Sequence, residues 1–369
     1  MAHYFQKAEK DATIIKGNLD THSTGSFKNH GMDEILVVGK TFQKDSSVAI
    51  QDIQRSLIKF PIATISASIA DGTIPANAKF YLNLKDAGSQ ELNRDQVLYI
   101  NAVSQSWVEG DGKTSDTPPT TNGVSWKFRD ERSGSLWHTN EDLYSGGTYF
   151  SGSNHTSSIS VGKDNDVDVR ADVTQIVKQW YSGSIPNEGF LIRRSTTDET
   201  SVEKLGTHKF FSSDTHTIFA PSLEAEWDDS VWSTGSLSPL SSNELDKLKI
   251  YTENFSREYK VGSLSKIIVK GREKYPAKTF ATSSEYLTVK YLPSGSSFYT
   301  VLDAVTDDVI IPYGIGSKIS CDTTSNFFNL RTDGLEPERF YRLRVKIEEG
   351  TGINKKVNFY DVGEFKVVR

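Results

Sequence analysis

Apolar and polar residues alternate in short runs along most of this chain, and Gly, Ser, Asn, Asp or Pro separate the runs. This period of two is typical of half-buried β-strands, because successive side chains point to opposite sides of a strand. In residues 79–85, for example, Phe80, Leu82 and Leu84 fall on one face. The same pattern predicts strands at residues 34–39, 55–62, 97–104, 124–128, 167–170, 189–193, 208–212 and 223–227. The chain is therefore predicted to be all-β.

One segment has the period of a helix instead. Its apolar residues lie at the spacing of one helical face: Val173, Ile176, Val177 and Trp180. We expect one short helix there, with Asp172 accepting the amide N–H of Gln175 and Gln175 reaching back as in a capping box. A helix this short needs a sheet to pack against, so Trp180 is predicted to cover an end of the core.

Residues 228–246 are rich in Ser and have no sustained period, which predicts a domain boundary. We expect a first domain at 1–230, a linker at 231–247 and a second domain at 248–369. Strand patterns resume after the linker, and seven or eight short strands in some 120 residues are typical of an immunoglobulin-like sandwich. The polar, Gly-containing segment before residue 50 is predicted to be an N-terminal arm that becomes ordered against a neighbouring subunit.

Six pieces of the first domain occur in an order that resembles the DNRLRE family, a carbohydrate-binding-module-like β-sandwich. They are RSLIKFPI (55–62), ADGTIPANAKFYLNL (70–84), VLYINAVSQSWVEGDG (97–112), VDVRADVTQIVKQWYSG (167–183), PNEGFLIRRS (186–195) and APSLEAEW (220–227). The resemblance covers residues 50–228 and implies a jelly-roll-like β-sandwich. The segments 111–123 and 130–162 are longer than the family pattern.

Two further resemblances concern the ends of the chain. The opening, with FQKAEKDATI followed by HGMDEILVVGK, is similar to the start of structural proteins of large tailed phages. Near the other end, LEPERFYRLRVKI resembles the tyrosine corner of fibronectin-III-like domains, in which the Tyr341 hydroxyl would bond to backbone a few residues upstream. Leu343 and Val345 would then face the core together with Tyr341. An ordinary amphipathic strand after a Pro-containing turn is the alternative.

Composition excludes several classes of protein. The chain has 369 residues, a net charge of -6 and scattered basic residues, which argues against a nucleic-acid partner. One cysteine, Cys321, excludes an intrachain disulfide and a thiolate metal cluster, and we expect it to be a small buried residue. No apolar run is long enough for a membrane span, and the start lacks a secretory signal. The resemblance to phage structural proteins, with which the missing signal agrees, implies a virion protein that assembles in the host cytoplasm, and we expect no membrane partner.

Large aromatic residues in or beside the two long segments are the candidate binding residues. Together with a neighbouring carboxylate they form this set: Trp107, Glu109, Trp126, Trp137, Tyr144 and Tyr149. Exposed on loops, such rings would form a protein contact or a platform for a polysaccharide. The alternative is that they fold back and fill the ends of the sandwich.

A second cluster offers hard oxygen ligands. Asp164, Asp166 and Asp168, with Asn165 between them, are the donor type that Ca²⁺ accepts, although the Gly and distal Glu of an EF-hand loop are missing. A polar turn is the alternative. No other cofactor is expected. In the second domain, basic residues could present a face to an acidic partner or be solvated: Lys260, Lys266, Lys270, Arg272, Lys274, Arg342, Arg344 and Lys346.

These observations lead to a non-enzymatic structural protein of a tailed-phage virion as the first hypothesis. Its partners would be other virion structural proteins and copies of itself, in the tail, neck or baseplate. The alternative is a carbohydrate-binding module or adhesin for host polysaccharide. A polysaccharide lyase or hydrolase is a third option, for which the sequence contains no G-x-S-x-G elbow, H-E-x-x-H motif or other catalytic set.

Overall fold

The computed structural model describes residues 2–17, 27–44, 49–137, 146–163, 168–235, 238–239, 245–275, 289–350 and 352–369. The fold is all-β, with 44% of the chain in strands and about 9% in helices. Two compact units are present: an N-terminal unit, Gln6–Glu224, and a C-terminal unit, which combines Ala225–Arg369 with Met1–Phe5. The N-terminal unit thus ends at residue 224, whereas the sequence predicted a first domain that ends at residue 230.

Among the described residues, thirteen strands begin before residue 227. They are β1 (His3–Lys7), β2 (Lys10–Lys16), β3 (Ile35–Lys44), β4 (Ala49–Lys59), β5 (Lys79–Leu84), β6 (Gln96–Ala102), β7 (Phe128–Asp130), β8 (Ser135–Leu136), β9 (Thr156–Val161), β10 (Val169–Asp172), β11 (Phe190–Arg193), β12 (Gly206–Phe211) and β13 (Ser222–Glu226). A seven-stranded sheet has the order β12-β3-β4-β11-β6-β9, with β2 also paired to β4. A four-stranded sheet has the order β1-β13-β5-β10, and β7 pairs with β8.

The helices correct the expectation of a single one. They are α1 (Ala63–Ala70), α2 (Thr174–Tyr181) and α3 (Thr196–Thr200), of which only α2 follows from the sequence pattern. The predicted capping box is also wrong, because no side chain caps α2 and the Asp172 carboxylate accepts the N–H of Thr174, at 2.9 Å, instead of that of Gln175. Trp180 of α2 is buried and its ring lies 4.6 Å from that of Phe190.

The seven-stranded sheet is buried on both faces at its centre. In the pairing of β11 with β4, Phe190 lies opposite Ile58 and the next residue, Leu191, lies opposite Leu57. Neighbouring residues of a strand point to opposite faces, yet all four of these side chains are fully buried. Phe190 contacts Trp180 on one face, while Leu57 and Leu191 belong to a core cluster on the other. The continuous apolar run of β11 is explained by this double burial.

The N-terminal residues are strands of these sheets, which corrects the predicted arm. Strand β2 is antiparallel to β4, from Lys10 opposite Lys59 to Lys16 opposite Ile53. Ala12 and Ile14 of this strand are completely buried. Their apolar side chains, two residues apart, place β2 against the core in the same way as any other alternating strand.

The described part of the C-terminal unit contains eleven further strands. They are β14 (Ser238–Pro239), β15 (Leu248–Thr252), β16 (Glu258–Lys260), β17 (Leu264–Glu273), β18 (Lys290–Tyr291), β19 (Ser297–Asp303), β20 (Val309–Ile311), β21 (Ser320–Cys321), β22 (Asn326–Arg331), β23 (Phe340–Glu349) and β24 (Lys356–Val368). One sheet has the order β14-β18-β17-β22-β21, with β15 on β17, and the other has the order β16-β24-β23-β19-β20. Short 3₁₀ helices occur at Leu245–Lys247, Ile315–Ser317 and Gly352–Asn354.

The tyrosine-corner geometry expected in this unit is confirmed. The hydroxyl of Tyr341 donates a hydrogen bond to the backbone carbonyl of Glu336, five residues upstream, at 3.2 Å. Tyr341, Leu343 and Val345 are all buried, as expected for residues on one face of β23. The bond joins the turn before β23 to the strand and holds the tyrosine in the core.

The expected basic face is largely neutralised by carboxylates. Among the described residues, five of the eight basic side chains form ion pairs, and the pairs are Lys266–Asp322, Lys270–Glu253, Arg342–Glu364, Arg344–Asp361 and Lys346–Glu348. Two of these pairs, Arg342–Glu364 and Arg344–Asp361, join residues that lie directly opposite each other on β23 and β24. Within the described parts of the chain, no helix is both long and apolar enough to cross a membrane.

Candidate functional site

The three candidate tryptophans are buried in the core of the N-terminal unit, so the alternative that they fold back into the sandwich is confirmed for them and the exposed binding platform is wrong. Trp107, Trp126 and Trp137 are 3%, 1% and 0% exposed. All three belong to one apolar cluster with Leu57 and Leu191, which lie on the face of the seven-stranded sheet opposite Phe190. We call the segment 103–137, which carries them, the cover segment. Because its rings are used in packing, they cannot offer a stacking surface to a polysaccharide.

Specific bonds fix two of the three indoles in place, whereas the Nε1–H of Trp126 is buried without a hydrogen-bond partner. The Nε1–H of Trp107 donates to the carbonyl of Glu188 at 2.9 Å, and that of Trp137 donates to the carbonyl of Ser125 at 2.8 Å. The ammonium of Lys10 lies 4.2 Å from the ring centroid of Trp107. Polar atoms of buried aromatics are usually satisfied in this way, so the arrangement is that of a well-packed core.

Trp126 packs against a buried ion pair. The guanidinium of Arg55 lies 4.7 Å from its ring centroid and forms two hydrogen bonds with the carboxylate of Glu199, at 2.9 and 2.6 Å. Arg55 also donates to the carbonyl of Gly146 at 2.7 Å. Tyr149 is half-buried, with the Arg193 guanidinium 4.7 Å from its ring centroid. Tyr144 lies outside the described residues.

Glu109 is close to two other carboxylates, Asp11 and Asp214. Each of the three side chains offers one oxygen, and these oxygens all lie within 4.8 Å of one another. Asp11 lies on β2, Glu109 on the cover segment and Asp214 on the turn after β12. We call this set the carboxylate cluster. It is the arrangement among the described residues that could hold a metal ion.

Backbone bonds hold the cluster together. Oε1 of Glu109 accepts the N–H of Asp11 at 2.8 Å, and Oδ2 of Asp11 accepts the N–H of Ser213 at 2.6 Å. Two carboxylate oxygens are left buried without a hydrogen-bond partner, Oδ1 of Asp11 and Oδ2 of Asp214. Unpartnered buried oxygens are costly for a carboxylate.

Burial raises the pKa of every member of the cluster. It raises the pKa of Asp11 to about 8, although the bonds from Ser213 oppose the change. It raises the pKa of Glu109 to about 7, with a contribution from Asp214, while the amide of Asp11 and the charge of Lys10 act in the other direction. The pKa of Asp214 also rises through burial. A proton or a cation is therefore needed to balance the negative charge.

Asn29 positions the part of the cover segment that carries Glu109. Its completely buried amide donates to the carbonyls of Glu109 and Val124, at 2.6 and 2.8 Å, and its oxygen accepts the N–H of Gly112 at 2.7 Å. Gly110 adopts a φ of +84° beside this amide, where a Cβ would lie 2.4 Å from the Asn29 oxygen. Glycine is required there by both backbone conformation and space.

The predicted acidic cluster at 164–168 is described only in part. Asp164 and Asp166 lie outside the described residues. Asp168 is half exposed, pairs with Lys85 at 2.6 Å and accepts the N–H of Asp86 at 3.0 Å. Its oxygens thus already have partners within the fold.

A polar groove of about 370 Å³ lies beside the start of α2. Its lining includes the polar side chains of Asn77, Lys79, Ser157, Gln175 and Lys178. No aromatic ring is present among the described residues that line it. The groove offers hydrogen-bond donors and acceptors to a polar ligand.

Sequence reasoning identified Glu109 but missed Asp11 and Asp214. The three residues are separated by about a hundred positions each, so no motif connects them. A local signal exists only at Asp11, where an acidic residue interrupts a strand that is buried on both sides. Cys321 is buried as expected, and burial raises the pKa of its thiol.

Comparison with known proteins does not assign this chain to a family. No family model matches the chain, and no curated protein matches it. Among solved structures, a DUF4785 family protein from Legionella pneumophila is similar with a TM-score of 0.22 and 7% identity, over 98% of this chain. The match spans 65% of that protein's chain.

Proposed function

We propose that this chain is a non-enzymatic structural protein of a tailed-phage virion that joins neighbouring proteins in the tail, neck or baseplate. Two all-β units with well-packed apolar cores support this proposal, because such units are stiff bodies that can hold partners in place. The similarity of the opening residues to phage structural proteins also supports it.

The observation that carries the proposal is an apolar strip on the hairpin formed by β23 and β24. Ile353 at its turn is fully exposed, and Val357 and Phe359, two residues apart on β24, are 37% and 57% exposed. The rest of this sheet face carries ion pairs, such as Arg344 with Asp361. Apolar groups within a charged face are typical of protein contacts, and we assign this strip to a neighbouring virion protein.

Incorporation into particles tests the proposal. Tagged chain should purify with virions at a fixed copy number, measured by quantitative mass spectrometry. Phe359→Ser should reduce incorporation by at least about fivefold, since an apolar anchor at an interface contributes more than about 1 kcal/mol. Val202→Ser is the control, because Val202 is 70% exposed and lies in the other unit. Absence of the chain from purified particles would refute the proposed function.

A second candidate is a carbohydrate-binding module for host polysaccharide, which is favoured by the groove beside α2. Hydroxyl, amide and ammonium groups of Ser157, Gln175 and Lys79 lie along it, and such groups bond to sugar hydroxyls. Trp107, Trp126 and Trp137 do not belong to the lining of this groove, so the candidate glycan site would not use them.

Affinity electrophoresis in gels that contain polysaccharide distinguishes the two candidates. Glycan binding predicts retardation that Gln175→Ala weakens and that Glu203→Gln, an exposed change elsewhere in the same unit, leaves unchanged. Equal mobility in all gels would leave the assembly function as the better explanation.

A further inference from the structure

We propose that Asp11, Glu109 and Asp214 bind a divalent cation, and that this cation is Ca²⁺. The proposal is independent of the role in a virion. It rests first on geometry, since oxygens from three distant parts of the chain lie within 4.8 Å of one another. Two oxygens bound to one Ca²⁺ at about 2.4 Å can be no more than about 4.8 Å apart. The three carboxylates are thus close enough to share one ion.

The second observation is an unpartnered oxygen on a completely buried carboxylate. Asp11 is completely buried, and its Oδ2 is occupied by the N–H of Ser213. Its Oδ1 is also buried and has no hydrogen-bond partner. Oδ2 of Asp214 is likewise buried without a hydrogen-bond partner. Buried carboxylate oxygens normally find a donor or a metal, and a cation between the carboxylates would supply the missing partner for both.

Lys10 favours the ionised form of Glu109 and Lys113 favours that of Asp214, but among the described residues neither lysine forms an ion pair with the cluster. Among the described residues, none of the three carboxylates forms an ion pair with Lys, Arg or His. The ammonium of Lys10 bonds to the carbonyl of Trp107 and faces its ring. Three carboxylates and one divalent ion leave a small residual charge, whereas three ionised carboxylates alone would repel one another.

The donor set favours Ca²⁺ over other metals. All the side-chain donors are oxygen atoms, with no His or Cys among them, which disfavours Zn²⁺. The ligands come from a strand, the cover segment and a turn, an irregular set that suits the flexible coordination of Ca²⁺ better than the strict octahedron of Mg²⁺. Backbone carbonyls and water would complete the shell. A bound ion would tie the cover segment to β2 and to the turn after β12.

Calcium binding to the full chain tests the inference. After treatment with EDTA and desalting, titration with CaCl₂ in a calorimeter should show one site, and Ca²⁺ should displace Tb³⁺ whose luminescence is excited through tryptophan. Asp11→Asn, Glu109→Gln and Asp214→Asn should each weaken binding by at least about tenfold, as expected when a ligand or its orientation is lost. Thermal unfolding in EDTA shows that each variant is folded, since the amides remove like-charge repulsion.

Two control variants locate the site. Glu203→Gln changes an exposed acid of the same unit, and Asp168→Asn changes the acidic segment that the sequence suggested for Ca²⁺. Both should bind as the unchanged chain does. The inference is overturned if the unchanged chain binds no Ca²⁺ at millimolar concentration, if the three cluster variants bind normally, or if Asp168→Asn alone abolishes binding.

Discussion

Acidification should destabilise the N-terminal unit through one buried imidazole, that of His208. This side chain on β12 is 1% exposed, and its Nε2 lies 3.2 Å from the amide oxygen of Gln96. The pKa of His208 is lowered from 6.5 to about 4. Burial is the largest cause, the nearby positive charge of Arg194 acts in the same direction, and Asp86 opposes the change. The folded state therefore holds this imidazole neutral at a pH where the unfolded chain has protonated it.

The sign follows from proton binding. Between about pH 4 and 6.5 the unfolded state binds more protons at this group, so the free energy of unfolding falls as the pH falls. The contribution is complete above 6.5 and lost by about 4. At about pH 4.5, with about 1.4 kcal/mol for each pKa unit, the loss is about 2.5 kcal/mol. This is a large part of the stability of an ordinary domain.

His208→Gln isolates this contribution because glutamine can still donate a hydrogen bond to Gln96 but does not titrate. Urea unfolding at about pH 7.5 and at about pH 4.5 should show that the variant loses about 2.5 kcal/mol less than the unchanged chain. Tryptophan fluorescence reports mainly on the N-terminal unit, which contains four of the six tryptophans.

The control is His216→Gln, since His216 is 90% exposed and its charge stays in water. This variant should follow the unchanged chain at both pH values. Carboxylates that titrate in the same range affect all three proteins alike and cancel in the comparison. An equal loss of stability in His208→Gln and the unchanged chain would refute the burial argument.

Two further predictions concern stability, one for a close contact in the N-terminal unit and one for a hydrogen bond in the C-terminal unit. Gly146→Ala should destabilise the N-terminal unit by about 2 kcal/mol or more in urea unfolding, because Gly146 has a φ of +55° and a Cβ would lie 2.5 Å from the Trp126 ring. Gly134→Ala, with a φ of +67° and open space, should cost only about 1 kcal/mol, and equal losses would contradict the close approach. Tyr341→Phe should lower the stability of the C-terminal unit by about 1 kcal/mol in thermal unfolding through loss of the bond to Glu336, and an unchanged midpoint would contradict this.

Local patterns predicted the parts of the fold that depend on local geometry. The alternation in residues 79–85 gives β5, and the spacing of Ile176, Val177 and Trp180 gives α2. The bond of the Tyr341 hydroxyl was expected from the resemblance to a tyrosine corner, and it too is local, because the hydroxyl and its acceptor are only five residues apart. Each of these features is determined by residues within about one turn or one strand of one another.

The carboxylate cluster could not be predicted from such patterns. Asp11 follows Lys10 in an alternating strand, and polar residues of such strands usually face water. Here the position is buried because β2 is covered on both sides, a fact that depends on residues about a hundred positions away. The exposure predicted for Trp126 and Trp137 fails for the same reason, since loop composition does not show what a loop covers.

The cover segment has a physical reason to exist. Strands β4 and β11 carry apolar side chains on both faces, so Leu57 and Leu191 need a cover on the face opposite Phe190 and Trp180. The tryptophans of the cover segment bury Leu57 and Leu191, and the segment itself must then be bonded to the neighbouring strands. Glu109, bonded to the amide of Asp11, lies at such an attachment point. A cation bound there would fasten the cover segment to β2, which explains why costly carboxylates are retained beside an apolar core.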